Sequence, residues 1–192
     1  MRLHESHDGA AEAHPPASML LAVVVALLQF VNGQSTNATC SDDYDWMRNS
    51  KAQSPCLITA WLQYPCYGPF QVPGLPSGPY SYSGPLNGSA YPCACNTVLY
   101  SMWAACAVCQ GAGISRIYPW SSFSEYCSKV SVEQYPEIIP NDTAVPLWAY
   151  LPLANDTFNL AAAKSNASEG EPAQLQLSAY HCSFITLAIS PI

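Results

Sequence analysis

The sequence predicts a small, mainly α, disulfide-rich domain that carries a long Pro/Gly/Tyr loop and ends in a disordered tail. Three observations predict it. Eight of the nine cysteines (Cys40, Cys56, Cys66, Cys93, Cys95, Cys106, Cys109 and Cys127) crowd into one stretch behind an apolar N-terminal run. Short apolar runs bounded by helix start and stop signals lie between them. The segment from Cys66 to Cys93 is interrupted by three Gly-Pro pairs. An even set of cysteines this dense behind an export signal reads as a disulfide framework.

The first element is the export signal. Met19–Val31 is apolar and has the length of a signal-peptide core, shorter than the roughly 20 residues a membrane span needs. Val31 and Gly33 are small enough for the −3 and −1 sites, which places cleavage between Gly33 and Gln34. Residues 1–18 carry Glu5, Asp8 and Glu12 against Arg2, whereas signal peptides begin basic, so Met19 is an alternative start. The expected organisation is a signal peptide over 1–33, a cysteine-rich extracellular domain over 34–158, and a low-order tail over 159–192. The tail reads as a stalk cut short or misread.

Within the domain, Asp43–Ser50 is the first helical candidate. Ser54-Pro55 is a helix start, with Ser as N-cap and Pro at the first position, and Pro65 is expected to stop that helix. Asn96 or Thr97 caps the clearest helix, Val98–Gln110, which Gly111 ends. Its Leu99, Met102, Trp103, Cys106 and Cys109 share one stripe facing the core. A fourth helix, Trp120–Ser128, sets Trp120, Phe123 and Cys127 on one side. Nothing after Pro152 shows a period that the core would need.

The helix restricts the pairing of the cysteines. Cys93 and Cys95 are too close in sequence to bridge each other, as are Cys106 and Cys109 on one helix. At about 1.5 Å per residue, Cys95 stands roughly 16 Å from Cys106. Each of these four therefore pairs with one of Cys40, Cys56, Cys66 and Cys127. That leaves about two dozen connectivities of about 105.

The Cys66–Cys93 loop interleaves Tyr67, Phe70, Tyr80, Tyr82 and Tyr91 with Pro and Gly, which exclude regular helix or strand. Two readings stand. The rings form a platform for sugars or a partner chain, or they cover a small core.

Charge narrows the partners. The chain carries −7 overall, and from Leu57 to Ser124 its one charged side chain is Arg116. No basic face is available for nucleic acid or acidic membranes. Five acceptor triplets, at Asn37, Asn87, Asn141, Asn155 and Asn166, point to a glycoprotein and supply solubility that the charge-poor middle lacks.

Catalytic patterns are missing. After Gly33 the only histidine is His181, and there is no Gly-x-Ser-x-Gly elbow, HExxH or phosphate loop. Asp42, Asp43 and Asp45 form the sole carboxylate cluster and read as a solvated helix start rather than a calcium seat. Cys93-x-Cys95 with Cys106-x-x-Cys109 has zinc-like spacing, but an oxidising compartment favours disulfides. No catalytic residue, metal site or cofactor is expected.

Four motifs carry a family resemblance: Trp46-Met-Arg-Asn-Ser-Lys-Ala-Gln-Ser-Pro-Cys56, Cys93-Ala-Cys-Asn-Thr-Val-Leu-Tyr-Ser101, Cys106-Ala-Val-Cys-Gln110, and Tyr135-Pro-Glu-Ile-Ile-Pro140 through Val145-Pro-Leu-Trp-Ala-Tyr150. Together, over about residues 40–158, they resemble an uncharacterised cysteine-rich extracellular domain of basidiomycete (mushroom-forming fungal) single-pass surface proteins. The resemblance implies a signal, this ectodomain, a stalk and one membrane helix, though the pattern breaks after Pro172. The order C-x9-C, then C-x-C-x10-C-x2-C-x17-C, is also similar to the fungal eight-cysteine CFEM domain. Cys40 lies too far from Cys56 for that family, and the Cys66–Cys93 gap is too long. No acidic residue precedes Cys93-x-Cys95, so the haem binding of some members does not carry over.

The expected function is a non-enzymatic secreted or cell-surface glycoprotein module for wall association, adhesion or sensing. Its partner would be cell-wall polysaccharide or another surface protein. A CFEM-like secreted ligand-binding protein is the alternative, and a secreted enzyme of unrecognised type ranks third.

Overall fold

The structure, a computed structural model, describes residues 33–78 and 80–167. The signal-peptide reading, Cys182 and the tail from residue 168 lie outside the described residues. The compact unit begins at Gln34.

Two helices build its centre. α1 (Pro55–Tyr67) starts as expected, with the Ser54 hydroxyl accepting from Leu57 N at 3.3 Å and Pro55 in the first turn. It then runs through Pro65, the residue expected to stop it. Pro65 sits in the last turn, where it removes one hydrogen bond at the exposed end. Termination falls to Gly68, at φ 71°, whose N–H caps Tyr64 O at 2.9 Å.

α2 (Thr97–Cys109) is capped by Asn96, whose amide oxygen accepts from Leu99 N at 2.8 Å. Twelve of its thirteen residues are buried, the half-buried Trp103 being the exception. The expected stripe therefore does not divide core from solvent. A helix that is apolar all round is enclosed all round. Packed against α2 are α1, the 3-10 turns Asp42–Met47 and Leu147–Tyr150, and the short α3 (Trp120–Phe123). Among the described residues, no helix is long and apolar enough to cross a membrane.

α3 is one turn long, where a helix to Ser128 was expected. The Ser124 side chain donates to Trp120 O at 2.8 Å, competing with helical continuation. Cys127 is then drawn to Cys95 at the start of α2. The start of α3 is held from a distance: Trp120 N donates to Asp156 O at 2.7 Å, and Ser121 Oγ donates to its carboxylate at 2.5 Å. Asn155 and Asp156 form the tip of a two-residue hairpin turn, with φ of 49° and 62°.

The N-terminal segment is stitched to the loop after α1. β1 (Ser35–Thr36) pairs in parallel with β2 (Gln71–Val72), so the Pro/Gly-rich loop does contain a short strand. Gln34 Oε1 accepts from Phe70 N at 2.9 Å, and Asn37 Oδ1 from Gly74 N at 2.6 Å. At the opposite end, the buried Asn49 donates to Ala144 O at 2.8 Å, tying the turn before α1 to the 140s.

The domain does not end at residue 158. α4 (Leu160–Ala167) begins on Asn159, whose side chain accepts from Ala162 N at 3.1 Å. Ala163 is fully buried, and Phe158 meets Trp148 at 5.9 Å between ring centroids. Trp148 in turn meets Trp46 at 6.2 Å. A tail beginning at 159 is thus corrected for residues 159–167. Four small and apolar residues in a row, Leu160-Ala-Ala-Ala163, offer no strong period, yet they suffice against the indole pair.

All eight clustered cysteines are paired: Cys40–Cys109, Cys56–Cys106, Cys66–Cys93 and Cys95–Cys127. The pattern is one of those allowed by the helix argument. Two bridges meet side by side on α2, with Cys56 Sγ and Cys109 Sγ 3.9 Å apart. Cys40, Cys56 and Cys109 bring their sulfurs within 4.8 Å of one another, but each is half of a disulfide and offers no thiolate to a metal.

Candidate functional site

The loop after α1 folds back over α2 and borders a partly open pocket of about 250 Å³. Gln63 and Tyr67 of α1, Phe70, the loop residues Ser83–Leu86, and Trp103 of α2 line it, with Phe123 at the α3 end. None of the described residues lining it is charged.

Its walls are aromatic and mutually supported. Tyr67 touches Phe70 at 5.9 Å and Tyr91 at 5.4 Å, while Trp103 meets Phe70 at 6.4 Å and Tyr82 at 4.4 Å. Such pairs add about 0.5–1.5 kcal/mol each beyond area burial. Hydrogen bonds fix the rings: the Tyr67 hydroxyl donates to Ser89 O, and the Tyr82 hydroxyl donates to Pro73 O at 2.6 Å. Burial, above all, pushes both phenols up from their ordinary pKa. The neighbouring Tyr91 adds to the rise at Tyr67; hydrogen bonds to Ser89 and Gln110, respectively, oppose it.

The roof is set by Gly84. A Cβ there would stand 1.8 Å from Phe123 O, so only glycine lets the loop backbone lie against α3. This contact brings Ser83–Leu86 down onto the cavity.

One polar group stands out. Gln63 is 4 % exposed, yet its Oε1 has no hydrogen-bond partner. Leaving a buried acceptor unmatched costs about 1–3 kcal/mol.

Of the five aromatics singled out in the sequence, Tyr67 and Phe70 line the cavity. Tyr82 braces Trp103 from behind, and Tyr91, 46 % exposed, packs on Tyr67. Tyr80 is 52 % exposed and joins no ring cluster among the described residues. Tyr67, Phe70 and Tyr82 thus cover the core, and Tyr67 and Phe70 also line the pocket. Gln63, Trp103 and Phe123 were missed as site residues. The available signal was Gln63 itself, a polar residue seven positions after Cys56 on the same buried face of α1.

A second cavity, of about 370 Å³, lies between Trp46, Arg48, Trp148 and Asn166, where the described residues end. Arg48 there is paired with Asp45 at 2.7 Å, an exposed pair of small energetic weight. Asn37, Asn87, Asn141 and Asn155 are exposed, whereas Asn166 is half-buried on α4 with its Oδ1 enclosed. Comparison of the chain with family models, with curated proteins and with solved structures returned no match.

Proposed function

We propose that this chain is a non-enzymatic, glycosylated module of the secreted or cell-surface space, and that it works by binding neutral polysaccharide of the wall. The uncharged aromatic cavity beside the tyrosine loop carries the reading. Among the described lining residues, rings, an amide and two serine hydroxyls, with no base or carboxylate beside them, suit recognition rather than bond cleavage. The complete pairing of the clustered cysteines supports an oxidising compartment, as does the apolar Met19–Val31 run. The resemblance to basidiomycete surface domains points the same way.

The test is expression of the full chain in a eukaryotic secretory host, followed by sedimentation with insoluble β-glucan, chitin and mannan. Recovery of a glycosylated protein from the medium that co-sediments with one of these is the expected result. Retention inside the cell, or release of reducing sugar from the polysaccharide, would overturn the reading.

A further inference from the structure

We propose that Asn87 is a self-modifying residue: while it bears no sugar, its side-chain amide cyclises onto the Gly88 backbone and opens to aspartate and isoaspartate. A glycan on the same amide nitrogen prevents this, and that half of the inference rests on the glycoprotein reading.

Local structure is the first argument. Asn87 and Gly88 are exposed at the centre of a turn that Ser89 N closes on Leu86 O at 2.9 Å. Gly88 has φ 87°, the positive value that the third residue of a type II turn takes most readily as glycine. Among the described residues, neither the Asn87 side chain nor the Gly88 N–H has a hydrogen-bond partner. A Cβ at Gly88 would meet nothing within 4 Å, so the surroundings of the turn are open.

The other asparagines supply the contrast. Among the described residues, Asn87 is the one asparagine followed by glycine. Asn49 and Asn96 are buried, and both ends of each amide are held by hydrogen bonds. Asn37 Oδ1 accepts from Gly74 N at 2.6 Å, and its following residue, Ala38, carries a Cβ that hinders approach.

The chemistry needs only water. The Gly88 nitrogen, on losing its proton, bonds to Asn87 Cγ; the Cγ–Nδ2 bond breaks, and Nδ2 takes up the proton and departs as ammonia. Water then adds to one of the carbonyls of the cyclic imide. Opening on one side gives aspartate, and on the other isoaspartate, in which the main chain runs through the side-chain carbon. A carboxylate results either way, ionised at neutral pH. It would be the first acidic group between Leu57 and Ser124. Leu86 and Ser89, on either side of the turn, line the pocket, so a hydrated charge would arrive at a neutral rim.

The test uses the disulfide-intact full chain in two forms: without glycans from a bacterial periplasm, and glycosylated from a eukaryotic secretory host. Both are incubated in mildly alkaline buffer beside a synthetic peptide spanning 84–91. Peptide mass spectrometry and enzymatic methylation specific for isoaspartate follow each asparagine. In the unglycosylated chain, Asn87 should lose ammonia several-fold faster than Asn37 or Asn155, and as fast as in the peptide. Gly88→Ala should slow the loss several-fold in chain and peptide alike, and the peptide has no fold to disturb. The glycan-bearing fraction should keep its amide.

An Asn87 amide that outlasts the peptide's, or one lost no faster than those of Asn37 and Asn155, would overturn the proposal. So would conversion of the glycan-bearing fraction at the rate of the bare one. Absence of sugar at Asn87 in the eukaryotic product would remove the glycan half, together with the glycoprotein reading at this residue. Conversion in the bacterial chain would still establish the imide chemistry.

Discussion

The Gln110 side chain donates from Nε2 to the Tyr82 hydroxyl at 2.9 Å and accepts at Oε1 from Leu75 N at 2.7 Å. One amide at the end of α2 thus grips the tyrosine loop at two points seven residues apart. The same Nε2 also reaches Cys106 O at 2.8 Å, beside the adjacent disulfides. The core thus adds to the hold that the loop has on itself through the Tyr82 hydroxyl and Pro73 O.

Gln110→Leu should therefore free the loop before it unfolds the domain. Removing the amide strands the Leu75 N–H, at a cost of about 1–3 kcal/mol. Limited proteolysis should cut within 76–91 several-fold faster than in wild type. Equal cleavage rates would show that the ring contacts alone fix the loop.

The disulfides give a second expectation. Intact protein should show no alkylatable thiol among the eight clustered cysteines, and peptide mapping should recover the four pairs found here. Replacing Cys56 and Cys106 together by alanine should cost about 2–5 kcal/mol. Mass spectrometry detecting a Cys95–Cys106 peptide would contradict the helical rise that separates Cys106 from the start of α2.

The third concerns residues 158–167. Phe158→Ala removes a buried ring from Trp148 and should destabilise by about 3–5 kcal/mol in urea unfolding. Truncation after Thr157 should lower the melting temperature by more than about 5 °C. An unchanged melting temperature would return α4 to the tail.

Alkaline pH is the fourth lever. Burial is the main cause that raises the Tyr100 and Tyr135 phenols above their ordinary pKa of 10.0. Asp156 adds to the rise at Tyr100, where the Thr157 hydrogen bond opposes it; Glu137 and Tyr150 add to the rise at Tyr135. An acid whose folded pKa is raised holds its proton longer in the folded state. The associated stability is complete below about pH 10 and declines as pH rises toward the folded values. Absorbance titration should find these two rings ionising above the ordinary phenol range, together with unfolding. Tyr135→Phe, which loses a 2.5 Å bond to Leu62 O, should blunt the alkaline decline.

Glycans provide the last check. Asn37, Asn87, Asn141 and Asn155 are exposed in the fold and should carry sugar, whereas Asn166, half-buried on α4, should be largely unoccupied. Enzymatic deglycosylation followed by peptide mass spectrometry counts the sites. Full occupancy at Asn166 would place the end of α4 outside the core.

Much of this architecture is written in local signals. Ser54-Pro55 and Asn96 mark helix starts because capping is a contact between near neighbours. The pairing rule for Cys93, Cys95, Cys106 and Cys109 needed only the rise of a helix and the reach of a disulfide. Which of the permitted pairings forms depended on how α1 and the N-terminal segment lie across α2, and no local spacing encodes that. Pro65 and Ser124 show the same limit from the other side. One proline in a last turn is tolerated, while one serine and a distant bridge end α3 early. The weak Leu160–Ala163 run became core because Trp46 and Trp148 were waiting for it. The cavity, too, exists only in three dimensions. Gln63, Gly84 and Trp103 are far apart in the chain, and their shared role arises from the loop closing over α2, where burial rather than sequence proximity decides which groups meet.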